Sequence, residues 1–410
     1  MTDEKTFVIV GAALAGASAA GELREQGFDG RIVLIGAENR YPYIRPPLSK
    51  GFLAGKEPVD AIYVHPEEWY DEHDIDFMPA ARVESIDPAA HTVSIENGDT
   101  IAYDRLLLTT GARPRTLDSL PGIDLRGVHQ LRTVLDAERL KPLLAGGTRR
   151  LAVIGSGWIG MEVAATAREL GNEVLILEHQ HVPLSAALGD ELGRFFAALH
   201  EEHGVVLRTG VDVVEISGIG GEVAGIRVGG RHAERADLVL VAVGALPNIR
   251  LAEEAGLAVD NGILVDAALT TSDPDIFAAG DVANAWHPFV EARVRSEHWA
   301  NAIAQGSAAA RSMLGHAVSF DDIPYFYTDQ FEVGMEFVGF SSLLAGAKTV
   351  YRGDPSSREF IVFWVADERV VAGMNVNVWD VSDDIKGVIR RRNRIDPVKL
   401  ADVAVPLTEL

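Results

Sequence analysis

Residues 7–16 read FVIVGAALAG, and residues 151–160 read LAVIGSGWIG. Each is a short apolar run that ends in a glycine-rich turn. A helical stretch follows each turn and closes at a glycine, Gly27 or Gly171, eleven residues after the last glycine of the turn. A second apolar run then ends near an acid: residues 32–35 before Glu38, and residues 174–177 before Glu178. This is the β–α–β pattern that binds a dinucleotide. The first glycine makes the tight turn, the middle position lets the backbone approach a pyrophosphate, and the third packs helix on strand. The phosphates lie at the helix N-terminus, where free N–H groups point at them. The pattern occurs twice, 144 residues apart, so the chain is expected to hold two dinucleotides.

The copies differ. The second is intact, with Gly155, Gly157 and Gly160; the first has Ala13 at its middle position, between Gly11 and Gly16. One methyl there is expected to push a pyrophosphate slightly outward or to be absorbed by a small backbone shift. Glu178 lies 18 residues after Gly160, and Glu38 lies 22 after Gly16. Such an acid accepts the adenosine ribose hydroxyls and repels a 2′-phosphate. His179, Gln180 and His181 follow Glu178 where a lysine or arginine would admit that phosphate. The second site is therefore expected to favour NADH over NADPH, a preference that partly protonated histidines would soften.

Composition narrows the chemistry. The 410 residues include no cysteine. This excludes a disulfide framework, a thiolate zinc site, a Cys-ligated iron–sulfur cluster, a redox dithiol and a catalytic thiol. The formal net charge is −23, which disfavours nucleic acid and anionic lipid as partners. The start, Met1 to Lys5, lacks the basic region of a signal peptide. The apolar run over residues 7–21 has 15 residues, short of the roughly 18 needed to cross a bilayer. A soluble, cytoplasmic protein of two or three domains is expected.

Further buried strands are expected at residues 106–108 and 238–241, each followed by a glycine and then a proline. Beyond about residue 320 the pattern changes to antiparallel strands, at 331–340, 359–365 and 370–376, with a helix over about 380–392. His200 and His203, three apart on a helix, read as part of a solvated face with no third metal ligand. Asp321-Asp322 and Asp383-Asp384 read as turn and helix-start residues, and no GxSxG elbow supports hydrolysis.

Over essentially its whole length the chain resembles the FAD-dependent pyridine-nucleotide oxidoreductases. It is most like the NADH-dependent ferredoxin reductases of the putidaredoxin reductase and ring-dioxygenase types. The likeness is carried by RPPLSK at 45–50, TTGARP at 109–114, LRT at 131–133, GSGWIGME at 155–162 and VGALPN at 243–248. TSDPDIFAAGDVA at 271–283, SEHWANAIAQG at 296–306 and PYFYTDQF at 324–331 extend it. The resemblance implies an α/β fold with two Rossmann-like domains and a small α+β C-terminal domain. Residues 1–112 and 244–320 would bind FAD, residues 113–243 would bind NAD, and residues 321–410 would form the third domain.

Site roles follow from the same resemblance. FAD would be held by Gly11, Ala13, Leu14, Ala15, Gly16, Glu38, Arg45, Lys50, Val83, Thr110, Gly111 and Arg132. Gly280, Asp281 (on a ribityl hydroxyl), His298, Trp299 and Tyr327 would complete that site. NADH would take Gly155, Gly157, Trp158, Ile159, Gly160, Glu178, Gly244 and Glu297. Lys50 and Glu162 would pair beside the flavin: the lysine stabilises charge on the reduced ring, and the carboxylate offsets the cost of burying the ammonium. Three departures stand out: Ala37 where an aspartate is usual, Tyr327 where tryptophan is common, and Ala13.

The implied reaction passes hydride from NADH to FAD and then single electrons to a [2Fe–2S] ferredoxin serving a cytochrome P450 or ring-hydroxylating oxygenase. Without cysteine, no internal dithiol can take those electrons. A rubredoxin reductase, a quinone or oxygen reductase, and an NADH-responsive flavoprotein like apoptosis-inducing factor are the alternatives. Between residues 381 and 400 six basic residues, among them Arg390, Arg391, Arg392 and Arg394, face three acids. This local reversal of charge is a candidate dock for an acidic ferredoxin, or else a solvated helix end. A monomer or homodimer is expected.

Overall fold

The computed structural model describes residues 5–229 and 233–410, so the start Met1–Glu4 lies outside the described residues. The chain forms two compact units.

The first unit comprises the chain up to Arg45, Pro58–Arg113 and Ala245–Asp322. Its centre is a five-stranded sheet in the order Ile276–Ala278, Arg105–Leu108, Thr6–Val10, Arg31–Ile35, Ile75–Met78. All neighbours are parallel, with Phe7 opposite both Ile32 and Arg105. Val8, Ile9, Ile32, Val33, Leu34 and Leu106 to Leu108 are completely buried. A sheet covered on both faces needs such continuous apolar runs rather than alternation. Helices Leu14–Glu25 and Trp299–Met313 pack together on one face. They approach closely because their contact surfaces are small: a Cβ on Gly306 would stand 2.4 Å from the Ala15 carbonyl oxygen. The strands on either side of Thr6–Val10 lead away in opposite directions through the topology. Its C-terminal end is therefore a switch point, where a ligand crevice forms in open parallel sheets.

The second unit comprises Pro46–Glu57, Pro114–Gly244 and the chain from Ile323 to Leu410. It repeats the architecture with a parallel sheet in the order Val206–Arg208, Glu173–Leu177, Arg150–Ile154, Leu238–Val241, Val128–His129. Helix Trp158–Glu169 follows its central strand. The segment Pro46–Glu57, which carries Lys50, packs with this unit through a 3-10 turn over Pro46–Ser49 against that helix.

The C-terminal part is an antiparallel sheet in the order Tyr325–Gln330, Val333–Gly339, Arg369–Val376, Glu359–Ala366, Lys348–Asp354. Helix Ser382–Arg391 lies on it, with Ile385, Val388 and Ile389 buried, and Asp383 and Asp384 in its first turn. The expected strand at 331–340 starts two residues later. Phe331 takes φ 56° in the reversal that pairs Gln330 with Val333. No glycine or asparagine marks that turn, so the strand before it, Tyr325–Gln330, is not legible as a separate element. Among the described residues no helix is long and apolar enough to cross a membrane.

Candidate active site

Both glycine-rich turns have the geometry their sequences imply. Gly11 and Gly155 take φ 124° and 100°, and an added Cβ would lie 2.2 Å from Thr109 O and 2.4 Å from Ala242 O. Gly16 and Gly160 are forced by the turn itself, their added Cβ atoms falling 2.1 and 2.3 Å from the carbonyl oxygens of Gly11 and Gly155. The middle position is different. Gly157 has φ −72°, which any residue adopts, and its added Cβ meets nothing within 4 Å. Nothing among the described residues requires glycine there; its absent side chain leaves room for a group from outside. Ala13 takes φ −119° at the equivalent place, so its methyl costs the backbone nothing.

Helices Leu14–Glu25 and Trp158–Glu169 begin with no side-chain cap and no acid in the first turn. Their orphan N–H groups, beside an open turn, fit a pyrophosphate. Leu14, Ala15 and Gly16 are buried against the first unit, whereas Ile159 is 43% exposed beside Trp158.

In the first unit, Glu38 accepts from Tyr43 Oη at 2.6 Å and from Arg45 Nη2 at 3.2 Å. The carboxylate expected to hold a ribose is thus also bonded to the arginine expected to line the flavin site. Thr110 Oγ1 donates to Asn248 O at 2.9 Å, and Asn248 Nδ2 returns a bond to Thr110 O at 2.8 Å. Asn248 N–H also donates to Gly111 O at 2.9 Å. Asn248 thereby clamps the turn that carries two expected site residues, a role its motif VGALPN does not announce.

Asp281 lies on the 3-10 turn Gly280–Val282, with Gly280 N–H donating to Gln305 Oε1 at 2.9 Å. It acts electrostatically on both Arg45 and His298. Burial lowers the His298 pKa to about 4, against the opposing pull of Asp281, so the ring is neutral at pH 7. Arg295 Nη1 bonds Glu297 Oε1 at 2.5 Å and Asp281 O at 3.2 Å. Arg295 Nε and Ser296 Oγ are buried without a partner among the described residues, close in sequence to His298 and Trp299. Unpaired buried donors beside expected cofactor residues fit a polar ligand. Val83 is a buried residue at the start of strand Val83–Asp87.

In the second unit, Glu178 follows strand Glu173–Leu177 and reaches back to the turn. It accepts from Ser156 N–H at 2.8 Å, Ser156 Oγ at 2.7 Å and Gln180 N–H at 2.7 Å. The acid is therefore fixed beside the glycine-rich turn. His179 is bonded to Asp212 at 2.7 Å and so is already committed to an acid. Gly244, with φ 102°, also has open space where a Cβ would point. Arg132 N–H donates to Asp136 Oδ2 at 3.1 Å, just before the capping box of Thr133 and Asp136.

The expected ion pair is present. Lys50 Nζ stands 2.8 Å from Glu162 Oε1; Glu162 is 4% exposed and the Lys50 side chain 16%. Two hydroxyls that sequence reading did not single out complete the carboxylate's shell: Ser49 Oγ donates at 2.5 Å and Thr328 Oγ1 at 2.6 Å. Lys50 Nζ also lies 5.3 Å from the ring centre of Tyr327. Burial, then Asp329, Glu162 and Glu57, raise the Tyr327 phenol to about 12, so it stays neutral. Burial also raises the Asp329 carboxyl, with Lys50 opposing and Glu162 and Glu336 adding to the rise.

One expectation is corrected. His200 is not on a solvated face: it is fully buried, and its Nε2 lies 2.9 Å from Gln330 Oε1. Helix Asp190–Glu202 turns that residue inward against the C-terminal sheet, while His203 stacks on Phe331 and pairs with Glu332 at 3.0 Å.

The basic cluster is largely engaged within the chain. Arg391 Nε and Nη2 donate to the carbonyls of Leu410 and Leu407 at 2.9 and 3.2 Å, and Lys399 Nζ donates to Glu409 O at 2.7 Å. Arg394 pairs with Glu368 at 3.1 Å and its side chain is 79% exposed.

The chain is 39% identical over 405 residues to the anthranilate 1,2-dioxygenase system ferredoxin–NAD(+) reductase component of Burkholderia cepacia, covering 98% of each. It is 35% identical over 414 residues to putidaredoxin reductase CamA of Pseudomonas putida, covering 100% of this chain and 97% of that one. The crystal structure of the covalent putidaredoxin reductase–putidaredoxin complex superposes with a TM-score of 0.94 at 34% identity, over 100% of this chain and 98% of that one. Residues 325–410 match the family described as reductase C-terminal. Residues 5–306, most of the chain, match the pyridine nucleotide-disulphide oxidoreductase family, and the protein is a member of that family.

Proposed function

We propose that the protein is an NADH-dependent ferredoxin reductase of the cytoplasm. The observation that carries the reading is the pair of glycine-rich turns leading into helices without side-chain caps, in a chain without cysteine. Two dinucleotides bind, and electrons that arrive have no thiol on this chain to rest on. Bound FAD would supply a hydride acceptor towards NADH and a one-electron donor towards a [2Fe–2S] ferredoxin.

The chain's own residues bind and orient. Gly11 to Gly16, with Glu38 and Arg45, hold the FAD pyrophosphate and ribose, and Asp281 takes a ribityl hydroxyl. Gly155 to Gly160 hold the pyrophosphate of NADH, and Glu178 takes its adenosine ribose and excludes a 2′-phosphate. Lys50 supplies positive charge to the flavin, and Glu162 holds that ammonium in place. Residues 1–112 with 244–320 serve as the flavin domain, 113–243 as the nicotinamide domain, and 321–410 as a C-terminal domain. Arg390, Arg392 and Arg394 contribute positive potential for an acidic ferredoxin.

The test is NADH-driven cytochrome c reduction by the purified protein, with and without a [2Fe–2S] ferredoxin, at low and high salt. Strong stimulation that falls with salt is expected. Rapid bleaching of the flavin by NADH with no stimulation by ferredoxin would move the acceptor to quinone or oxygen.

A further inference from the structure

The buried His200 begins an unbroken line of hydrogen bonds that ends at Lys50. His200 Nε2 is 2.9 Å from Gln330 Oε1. Gln330 Nε2 donates to Thr328 Oγ1 at 3.1 Å, Thr328 Oγ1 donates to Glu162 Oε1 at 2.6 Å, and that same oxygen pairs with Lys50 Nζ at 2.8 Å. His200, Gln330 and Thr328 are each at most 1% exposed.

The direction of every bond is determined from the carboxylate end. Glu162 only accepts, so the Thr328 hydroxyl must donate to it. With its proton so used, Thr328 Oγ1 must accept from the Gln330 amide nitrogen. That orientation leaves the Gln330 oxygen as an acceptor facing His200, so His200 must carry its proton on Nε2. His200 Nδ1 is buried with no partner among the described residues, which suits a bare ring nitrogen and not a second N–H. A reversed amide would place two donors face to face, or leave Thr328 without a donor. The line is polarised in one sense, and each member holds the next.

We propose that His200 and Gln330 are positioning residues for the Lys50–Glu162 pair, acting through Thr328. The imidazole fixes the amide, the amide fixes the hydroxyl, and the hydroxyl fixes the carboxylate that holds the lysine. The consequence for the flavin rests on the function proposed above; the consequence for Lys50 itself does not.

The test uses the flavin-loaded protein with 15N-labelled lysine. The Nζ resonance of Lys50, identified by its loss in Lys50→Met, is compared in wild type, Gln330→Glu, His200→Phe and His200→Gln, together with the flavin midpoint potential. Gln330→Glu keeps the shape, but as a carboxylate it only accepts, so Thr328 Oγ1 loses its donor and its hydroxyl is drawn away from Glu162. The Lys50 resonance should shift or broaden in Gln330→Glu and His200→Phe. His200→Gln should restore it, because its amide donor reaches the place of Nε2. The potential should fall in the first two by up to tenfold in the reduction equilibrium, about 30 mV for a two-electron couple, and recover in the third. An unmoved Lys50 resonance in both Gln330→Glu and His200→Phe overturns the proposal, even if thermal stability drops. Lys50→Met leaving the potential unchanged would overturn the place of Lys50 beside the flavin, while the resonance still decides the role of His200 and Gln330.

Discussion

Lys50 Nζ lies 2.8 Å from Glu162 Oε1, yet the two partners are not equally provided for. Glu162 has two further donors, Ser49 and Thr328. Beyond Glu162, Lys50 has only longer-range partners among the described residues: the Tyr327 ring at 5.3 Å and the electrostatic pull of Asp329. Removing one member of a buried pair is costly because the other is left uncompensated. The cost should therefore depend on which member goes. Glu162→Leu strands the ammonium and two hydroxyls and should destabilise the protein by about 3 kcal/mol. Lys50→Met leaves a carboxylate that still accepts twice and should cost clearly less. Urea denaturation of both variants decides this; equal losses, or a larger loss for Lys50→Met, would show that the two hydroxyls do not sustain the charge.

The open space at Gly157 separates binding from folding. Alanine there is compatible with φ −72° and touches nothing, so Gly157→Ala should leave stability unchanged or raise it by about 0.5 kcal/mol. The same methyl would intrude on a pyrophosphate, and KM for NADH should rise severalfold. Gly155→Ala, at φ 100° and against Ala242 O, should instead lower stability. A Gly157→Ala protein with unaltered KM would mean that the turn does not meet the nucleotide's phosphates.

How far the chain can be read without coordinates depends on whether a feature is local. The two β–α–β units are legible because their glycines are required by backbone atoms a few residues away or by the adjoining strand. Gly16 answers to Gly11, and Gly160 to Gly155. The Lys50–Glu162 pair is legible only by resemblance, since 112 residues separate the partners. The Ser49 and Thr328 hydroxyls and the Gln330 amide are invisible in sequence, because nothing marks a polar residue as buried when its partner comes from another part of the chain. His200 shows the limit of pattern reading. A histidine among two glutamates and another histidine has the composition of a wet surface. Helix Asp190–Glu202 nonetheless buries Leu192, Phe196, Leu199 and His200 along one side, and that side meets the C-terminal sheet.

Acidification should weaken the fold through this same residue. Burial lowers His200 to about 4 in the folded protein, whereas an unfolded histidine titrates near 6.5. Between these values the unfolded chain binds more protons than the folded one, so stability rises with pH across that window and is lost as pH falls through it. His200 alone contributes up to about 3 kcal/mol of this loss between pH 7 and pH 4. His298, also lowered to about 4 by burial, acts in the same direction. Denaturation midpoints measured from pH 7.5 to pH 4.5 should fall less steeply in His200→Gln than in wild type. Parallel profiles would show that His200 is not kept neutral by the fold.

The cations in and just after helix Ser382–Arg391 divide into those bonded to residues 407–410 and those that face solvent. Arg391 donates to the carbonyls of Leu407 and Leu410, so Arg391→Glu removes two charged hydrogen bonds and should cost about 2 kcal/mol of stability. Arg394 makes one exposed ion pair with Glu368, and Arg394→Glu should cost under about 1 kcal/mol. If this face steers an acidic ferredoxin, Arg394→Glu should slow ferredoxin reduction severalfold at low salt, with the deficit closing as salt screens the charge. NADH reduction of the flavin should not change, which stopped-flow bleaching measures directly. A ferredoxin rate in Arg394→Glu equal to wild type at every salt concentration would remove this patch from the docking surface. Arg394 is thus the informative probe, because a loss of ferredoxin activity in Arg391→Glu would be mixed with a loosened C-terminus.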